Sequence, residues 1–275
     1  MDIAALFQQP NALPSAPRVV QELISSFNDE QVSAADIARK LAADPVLSAK
    51  LLRLANSAYY QVSHSVSTVN DAVMMLGFVT VRTLVISSSL VGGFKSTPGL
   101  DLGKFWRYSL NTAVAAKWLA PQVGENPDFA FTVGMTHAIG QLVIHAGMPE
   151  QALALDKVVS FFDERRFDME RNSFGYDYAE VGAELASRWK FPASFSNAIR
   201  AFPKPLDYQP FDPMAAAIHL AVWIARANEN NLTKEETRTS CPTGVAAKFG
   251  LDPFIMLDQM PSLHELSNGL DGLLA

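Results

Sequence analysis

Among the side chains able to hold a metal ion or move a proton, His137 draws attention first. It lies in residues 129–149, a stretch without one Asp, Glu, Lys or Arg in a chain that is 18% charged. A histidine in such a setting, followed by an aspartate and backed by His and Asp from neighbouring helices, makes a divalent-metal site of nitrogen and oxygen donors. Here the next residue is Ala138, so the second ligand is missing. Other chemistries find less support. There is no glycine-rich phosphate loop, and Cys241, the single cysteine, precedes Pro242 in a polar loop without an evident base.

The segment carrying His137 has apolar residues on nearly every side, the pattern of a helix buried all round. One central helix is therefore expected over residues 129–149. A membrane span is the rival reading for this length. Against it, Thr132, Thr136, His137, Gln141 and three glycines suit lipid poorly, and Asp128 and Glu150 flank the stretch with no basic end to fix an orientation.

The elements that must position His137 can be read from caps and periodicity. Residues 13–17 (LPSAP) form a stiff lead-in. Val19, Val20, Leu23, Ile24 and Phe27 make a helical stripe, and Ser33 with Asp36 opens a short second helix. Asp44 before Pro45 starts a third, ending near Asn56 and Ser57. Asp44 and Asn56 read as helix caps rather than ligands, and Lys50 and Arg53 as a solvated face. Thr68 with Asp71 caps a helix that stops at Gly77, and an apolar helix follows over residues 79–90. Gly92, Gly93, Ser96, Pro98 and Gly99 read as a flexible break. Further helices are expected from Asp101 to Pro121, over residues 153–162, from Tyr178, over residues 194–202, and from Asp212 to Ala227. The tail from Glu229 begins polar and ends in short amphipathic pieces with another Asp-Pro start at Asp252 and Pro253. It either packs back or, if Phe254, Ile255 and Leu257 are exposed, serves as an interaction surface.

Composition narrows the function classes. At 275 residues, 49% hydrophobic with 17 Phe, a substantial core is expected in one large or two small domains. A net charge of −6 gives no electrostatic footprint for nucleic acid. No signal peptide is evident, and one cysteine forbids an internal disulfide, so the cytoplasm is the expected location.

Three stretches together resemble the HDOD family, divergent relatives of HD-type metal phosphohydrolases found in bacterial signalling proteins. They are LPSAP, then ADPVLSAKLLRLANSAYY with Asp44, Pro45, Leu51, Arg53, Asn56 and Ser57, then SVSTVNDAVMMLGFVTVRTLVIS with Gly77. The likeness runs over residues 13–205. It implies an all-α fold with an N-terminal helical bundle over residues 1–99, an HD-like helical part over residues 100–228 and a short helical extension over residues 229–275. Carried over position by position, the first metal-binding histidine of HD enzymes falls on Tyr108. The His-Asp pair falls on His137 and Ala138, and the lysine often found after it on Gln141. The next histidine falls on Tyr178, a later histidine pair on Ala201 and Phe202, and the last Asp on Val222, with His219 three residues before it.

The resemblance thus implies a vestigial pocket that keeps two histidines. No metal, no cofactor and no hydrolysis are expected, with His137 held by a backbone carbonyl or by Tyr108 or Tyr178. The leading expectation is an inactive regulatory protein that contacts protein partners in signal transduction. Two alternatives stand beside it. One is a sensor of a small ligand or nucleotide, with Tyr108, His137, Tyr178 and His219 around the cavity. The other is a hydrolase using Asp177, Glu180 and His145 as substitute ligands, although residues eight apart on a helix point about 80° apart, so His145 need not share the pocket of His137.

Overall fold

The computed structural model describes residues 2–9, 18–26, 33–62, 64–94 and 97–274. The expected lead-in at residues 13–17, Phe27 and Ser96 lie outside these. The described residues form α-helices, short 3-10 turns and no strand. Six helices come first: α1 (Ile3–Leu6), α2 (Arg18–Ser25), α3 (Ala34–Ala42), α4 (Pro45–Ala55), α5 (Val69–Leu76) and α6 (Phe78–Gly93). Eight then build the region around His137: α7 (Leu102–Leu119), α8 (Pro127–Thr136), α9 (Ile139–Gly147), α10 (Pro149–Asp156), α11 (Arg166–Phe174), α12 (Tyr178–Arg188), α13 (Ala193–Ala201) and α14 (Pro213–Glu229). The tail adds α15 (Lys234–Thr239), α16 (Thr243–Ala247), α17 (Pro253–Gln259) and α18 (Leu263–Ser267).

Short-range chemistry sets the helix starts. The Asp44 carboxylate accepts from the N–H groups of Val46 and Leu47, both at 3.0 Å, while Pro45 takes the position where no donor is needed. Thr68 and Asp71 complete a reciprocal capping box, and Gly77, at φ +80°, turns the chain sharply into α6. Asp101, Asp212 and Asp252 cap α7, α14 and α17. Asn56 does more than end α4. Its amide donates to the carbonyls of Leu52 and Val66 and its oxygen accepts from Val66 N–H, each at 2.8 Å, which staples the following loop to the helix. Leu51 is core, whereas the Ser57 hydroxyl is buried without a hydrogen bond.

Four expectations are corrected. The central helix is broken at His137 and Ala138 into α8 and α9. There the Gly134 carbonyl, which an unbroken helix would offer to the N–H of residue 138, accepts from the His137 ring at 2.7 Å. Gly92 and Gly93 lie inside α6 rather than in a break. The helix expected over residues 153–162 is α10, which ends at Asp156, and the unforeseen α11 follows after a turn. No apolar stripe announces α11, because its buried members are Arg166 and Glu170. Finally, Arg53 is not merely a solvated charge: it donates to the Gly272 carbonyl at 2.7 Å.

One connected apolar core among the described residues runs from Leu6 in α1 to Leu273 near the C-terminus. α7 packs on α8 and α14, α9 on α12, and α6 joins the first group of helices to α8. The segment Pro127–Gly147 is long and apolar enough to cross a membrane, but 89% of its most apolar stretch is buried inside the protein. The tail packs back, with Leu270 and Leu273 fully buried, while Phe254 and Ile255 on α17 are exposed and Leu257 is half-buried. α9 and α12 touch backbone to backbone at Gly140, where a Cβ would strike the Tyr178 carbonyl and come within 2.6 Å of the Gly182 nitrogen.

Gly140→Ala is therefore expected to cost about 1–3 kcal/mol or more in urea unfolding, since neither contacting atom can swing away. Gly92→Ala, whose Cβ would meet only the Lys50 ammonium at 3.5 Å, should be neutral or stabilise by about 0.5–1 kcal/mol.

Candidate functional site

The six residues of the expected vestigial pocket come from four places. Tyr108 sits on α7, His137 and Ala138 form the break between α8 and α9, Tyr178 opens α12, and His219 and Val222 lie on α14. His137 is fully buried. Its Nδ1 must carry the proton, because the Gly134 carbonyl 2.7 Å away can only accept. That leaves Nε2 as a lone pair, buried and without a hydrogen bond.

The rest of the pocket is aromatic. The edges of Tyr108 and Phe202 meet the imidazole, with ring centres 5.2 Å and 5.5 Å away. Phe202 also contacts Tyr178 at 6.1 Å, and its carbonyl accepts from Nδ1 of His219 at 2.8 Å. Phe202 thus ties Tyr178 and His219 to His137. Ala138 and Val222, each buried, contribute only apolar surface. Gln141 donates to the Phe161 carbonyl at 2.7 Å. Burial pushes His137 down to about 4 despite the Gly134 bond, and lowers His219 also. It raises the Tyr108 phenol and drives that of Tyr178 well above its usual value. All four are neutral at pH 7.

With this geometry established, comparison with known proteins settles the family: the sequence model of the HDOD domain matches residues 13–205. The chain belongs to the HDOD family. A solved structure from Shewanella amazonensis SB2B, provisionally assigned as a phosphohydrolase, is similar with a TM-score of 0.81 and 34% identity, covering 99% of this chain and 98% of that one. An HDOD domain protein of unknown function from Geobacter sulfurreducens shares the fold with a TM-score of 0.79 at 23% identity, covering 98% and 97%. An uncharacterised protein from Treponema pallidum (strain Nichols) is 24% identical over 222 residues, 79% of this chain. This HDOD chain spans only 43% of the length of that curated relative.

Relatives of the HD type use a divalent metal, and the residues here do not suit one. The only nitrogen donors among the six are Nε2 of His137 and Nε2 of His219; the neighbouring oxygens are neutral phenols, and Ala138 and Val222 offer nothing. Among the described residues no group of three or more His, Cys, Asp or Glu side chains converges on a shared point. A further residue, missed from sequence, opposes a cation directly. The charge of Arg226 bears on Tyr108, His137, Tyr178 and His219 alike. Its Nε donates to the Phe162 carbonyl at 2.6 Å. The signal was present in the spacing, since residues 219, 222 and 226 share one face of α14. HDOD matching stops at residue 205, so α14 lies beyond it.

The proposed substitute ligands are engaged elsewhere. Asp177 caps α12 and pairs with Arg171 at 2.7 Å, and Glu180 pairs with the same arginine at 3.1 Å. His145 faces Asp156, with Nε2 2.8 Å from Oδ2. Asp156 in turn meets the buried Arg166 at 2.6 Å, and Arg166 donates through Nε to Glu170 at 2.7 Å. The other Glu170 oxygen accepts from the Tyr178 N–H at 2.6 Å, so this buried chain of charges fixes where α12 begins. Burial pushes Glu170 up to about 7, against the pull of Arg166 and the Tyr178 N–H. Burial alone would lower Arg166, but Glu170 and Asp156 hold it above its ordinary value.

Two outcomes follow from these environments. His137 has a folded value near 4 against 6.5 unfolded, so its contribution is complete above 6.5 and lost as pH falls toward 4. His137→Leu should flatten the loss of stability over that window by up to about 3 kcal/mol, read from urea midpoints at pH 7, 5.5 and 4.5. Arg166→Met, which strands two carboxylates, should cost about 3–5 kcal/mol in the same assay, and adding Glu170→Leu should recover part of it.

Proposed function

We propose that this HDOD chain is a catalytically inactive regulatory protein of bacterial signal transduction, acting in the cytosol through contacts with protein partners. The observation that supports it most is the donor set around His137. Activating a water at neutral pH takes about three protein donors and an open position on the metal. Here there are two imidazole nitrogens, of His137 and His219, two neutral phenols, two aliphatic side chains and a guanidinium. The labels of solved relatives point both ways. The Shewanella protein is provisionally assigned as a phosphohydrolase, while a Marinobacter aquaeolei VT8 protein of the same fold, with a TM-score of 0.71 at 22% identity, is provisionally assigned to signal transduction. The ligand set favours the second. Exposed Phe254 and Ile255 on α17 supply apolar surface for a protein contact.

A second reading, a sensor of a small ligand, is favoured by a cavity of about 330 Å³ whose walls include Tyr178, His219 and Val222, although Tyr108 and His137, also expected around it, are buried and do not line it. It is compatible with the first, because none of the exposed α17 side chains lines that cavity.

Metal content distinguishes these from a hydrolase. Protein purified without a histidine tag and dialysed against dilute Mn, Fe, Zn and Mg should retain below about a tenth of an equivalent per chain. Retention near one or two equivalents, lost in His137→Ala, would overturn the proposal.

A further inference from the structure

The cavity beside Tyr178 and His219 adjoins a second of about 530 Å³, and Arg226 and Trp223 line both. Arg226 is half-buried on α14. Its Nε is pinned by the Phe162 carbonyl, which aims the planar group, while the guanidinium makes no ion pair with any described carboxylate. The other charges at the opening are different in kind. Arg165 is spent on Asp163 through two bonds at 3.0 Å and 2.8 Å, Asp168 pairs with Lys204 at 3.1 Å, and Glu164 is exposed, where water screens it. Asp163, which lines the second cavity and is already bridged to Arg165, feels the charge of Arg226 without a direct bond to it, so among the described residues the half-buried guanidinium forms no salt bridge of its own, and such a group favours a planar or tetrahedral anion taken in a forked geometry.

The walls specify more than charge. Trp223, Phe202 and Phe167 line the cavity, with the Lys204 ammonium over one face of Phe167, 4.8 Å from its ring centre. Trp223 is held in place by its indole N–H, which donates to Ser240 Oγ at 3.0 Å. His219, with its Nδ1 proton given to the Phe202 carbonyl, offers its other nitrogen as an acceptor, and the Tyr178 hydroxyl has no hydrogen bond among the described residues. A cavity with aromatic walls, one fixed cation and a few polar atoms suits a small ring-bearing ligand.

We propose that Arg226 replaces the metal of the ancestral pocket as its positive charge, and that the groove binds a small molecule carrying an anionic group on a planar ring. The anion sits on the guanidinium and the ring lies against Trp223 and Phe167. This rests on the reading that the site holds no divalent metal.

The test titrates the full chain by calorimetry, at low salt and with EDTA, with adenosine 5′-monophosphate, adenosine, inorganic phosphate and benzoate. The phosphate ester or benzoate should bind with a dissociation constant below about 1 mM, and each anion about tenfold or more tighter than the uncharged nucleoside. A preference between the two separates an organic phosphate from an aromatic carboxylate as the natural class. Arg226→Gln should weaken the tighter anion about tenfold or more, and Arg226→Lys should restore part of it. In the unsubstituted protein, the Arg226 Nε–H resonance should shift along the same saturation curve, which keeps the test valid even if the variants unfold. No binding up to about 10 mM with or without EDTA, or binding untouched in a folded Arg226→Gln, overturns the anion site alone. Binding that EDTA abolishes overturns both this site and the metal-free reading on which it rests.

Discussion

Backbone contact between α9 and α12, made possible because residue 140 has no side chain, is the constraint from which the rest of the site follows. It sets Tyr178 beside the break at His137, and it leaves no room there for an inserted side chain or ligand group. The break itself is local: the His137 ring takes the Gly134 carbonyl, so the imidazole is fixed in one tautomer and its other nitrogen is held in a space closed by Tyr108 and Phe202. Such a nitrogen is a costly thing to bury unpaired. In a metal enzyme the cation would meet that cost; here the surrounding packing must.

Charge is handled in two opposite ways within about one helix length of this point. Behind α12, His145, Asp156, Arg166 and Glu170 form a buried chain in which each carboxylate faces a donor. Pairs of this kind add little net stability compared with apolar packing, yet removing one partner is severe, so they act as a rigid register for α11 and α12. In front of it, Arg226 forms no salt bridge among the described residues and feels only the charge of Asp163, which is itself bridged to Arg165. The first arrangement is closed on itself, whereas the guanidinium of the second lines a cavity.

Carboxylates and a guanidinium select opposite kinds of guest. A site of His and Asp favours cations; among phenols, two neutral imidazoles and an arginine an anion is favoured over a cation. The rings of Tyr108, Tyr178 and Phe202 also reduce the dielectric around Arg226, which strengthens whatever contact it makes.

The sequence alone determined the helix starts and the core. Asp44-Pro45, Thr68 with Asp71 and Asp212-Pro213 act within one turn of chain, and an uncharged stretch cannot rest in water, so both are legible without a fold. Only the tertiary structure decided the break at His137, the polar but buried α11, the engagement of His145 by Asp156 and the position of Arg226. It also brought Arg53 to Gly272, 219 residues away. Each of these depends on a partner supplied by another helix, and periodicity along one strand of sequence carries no record of which distant carbonyl or carboxylate will stand opposite.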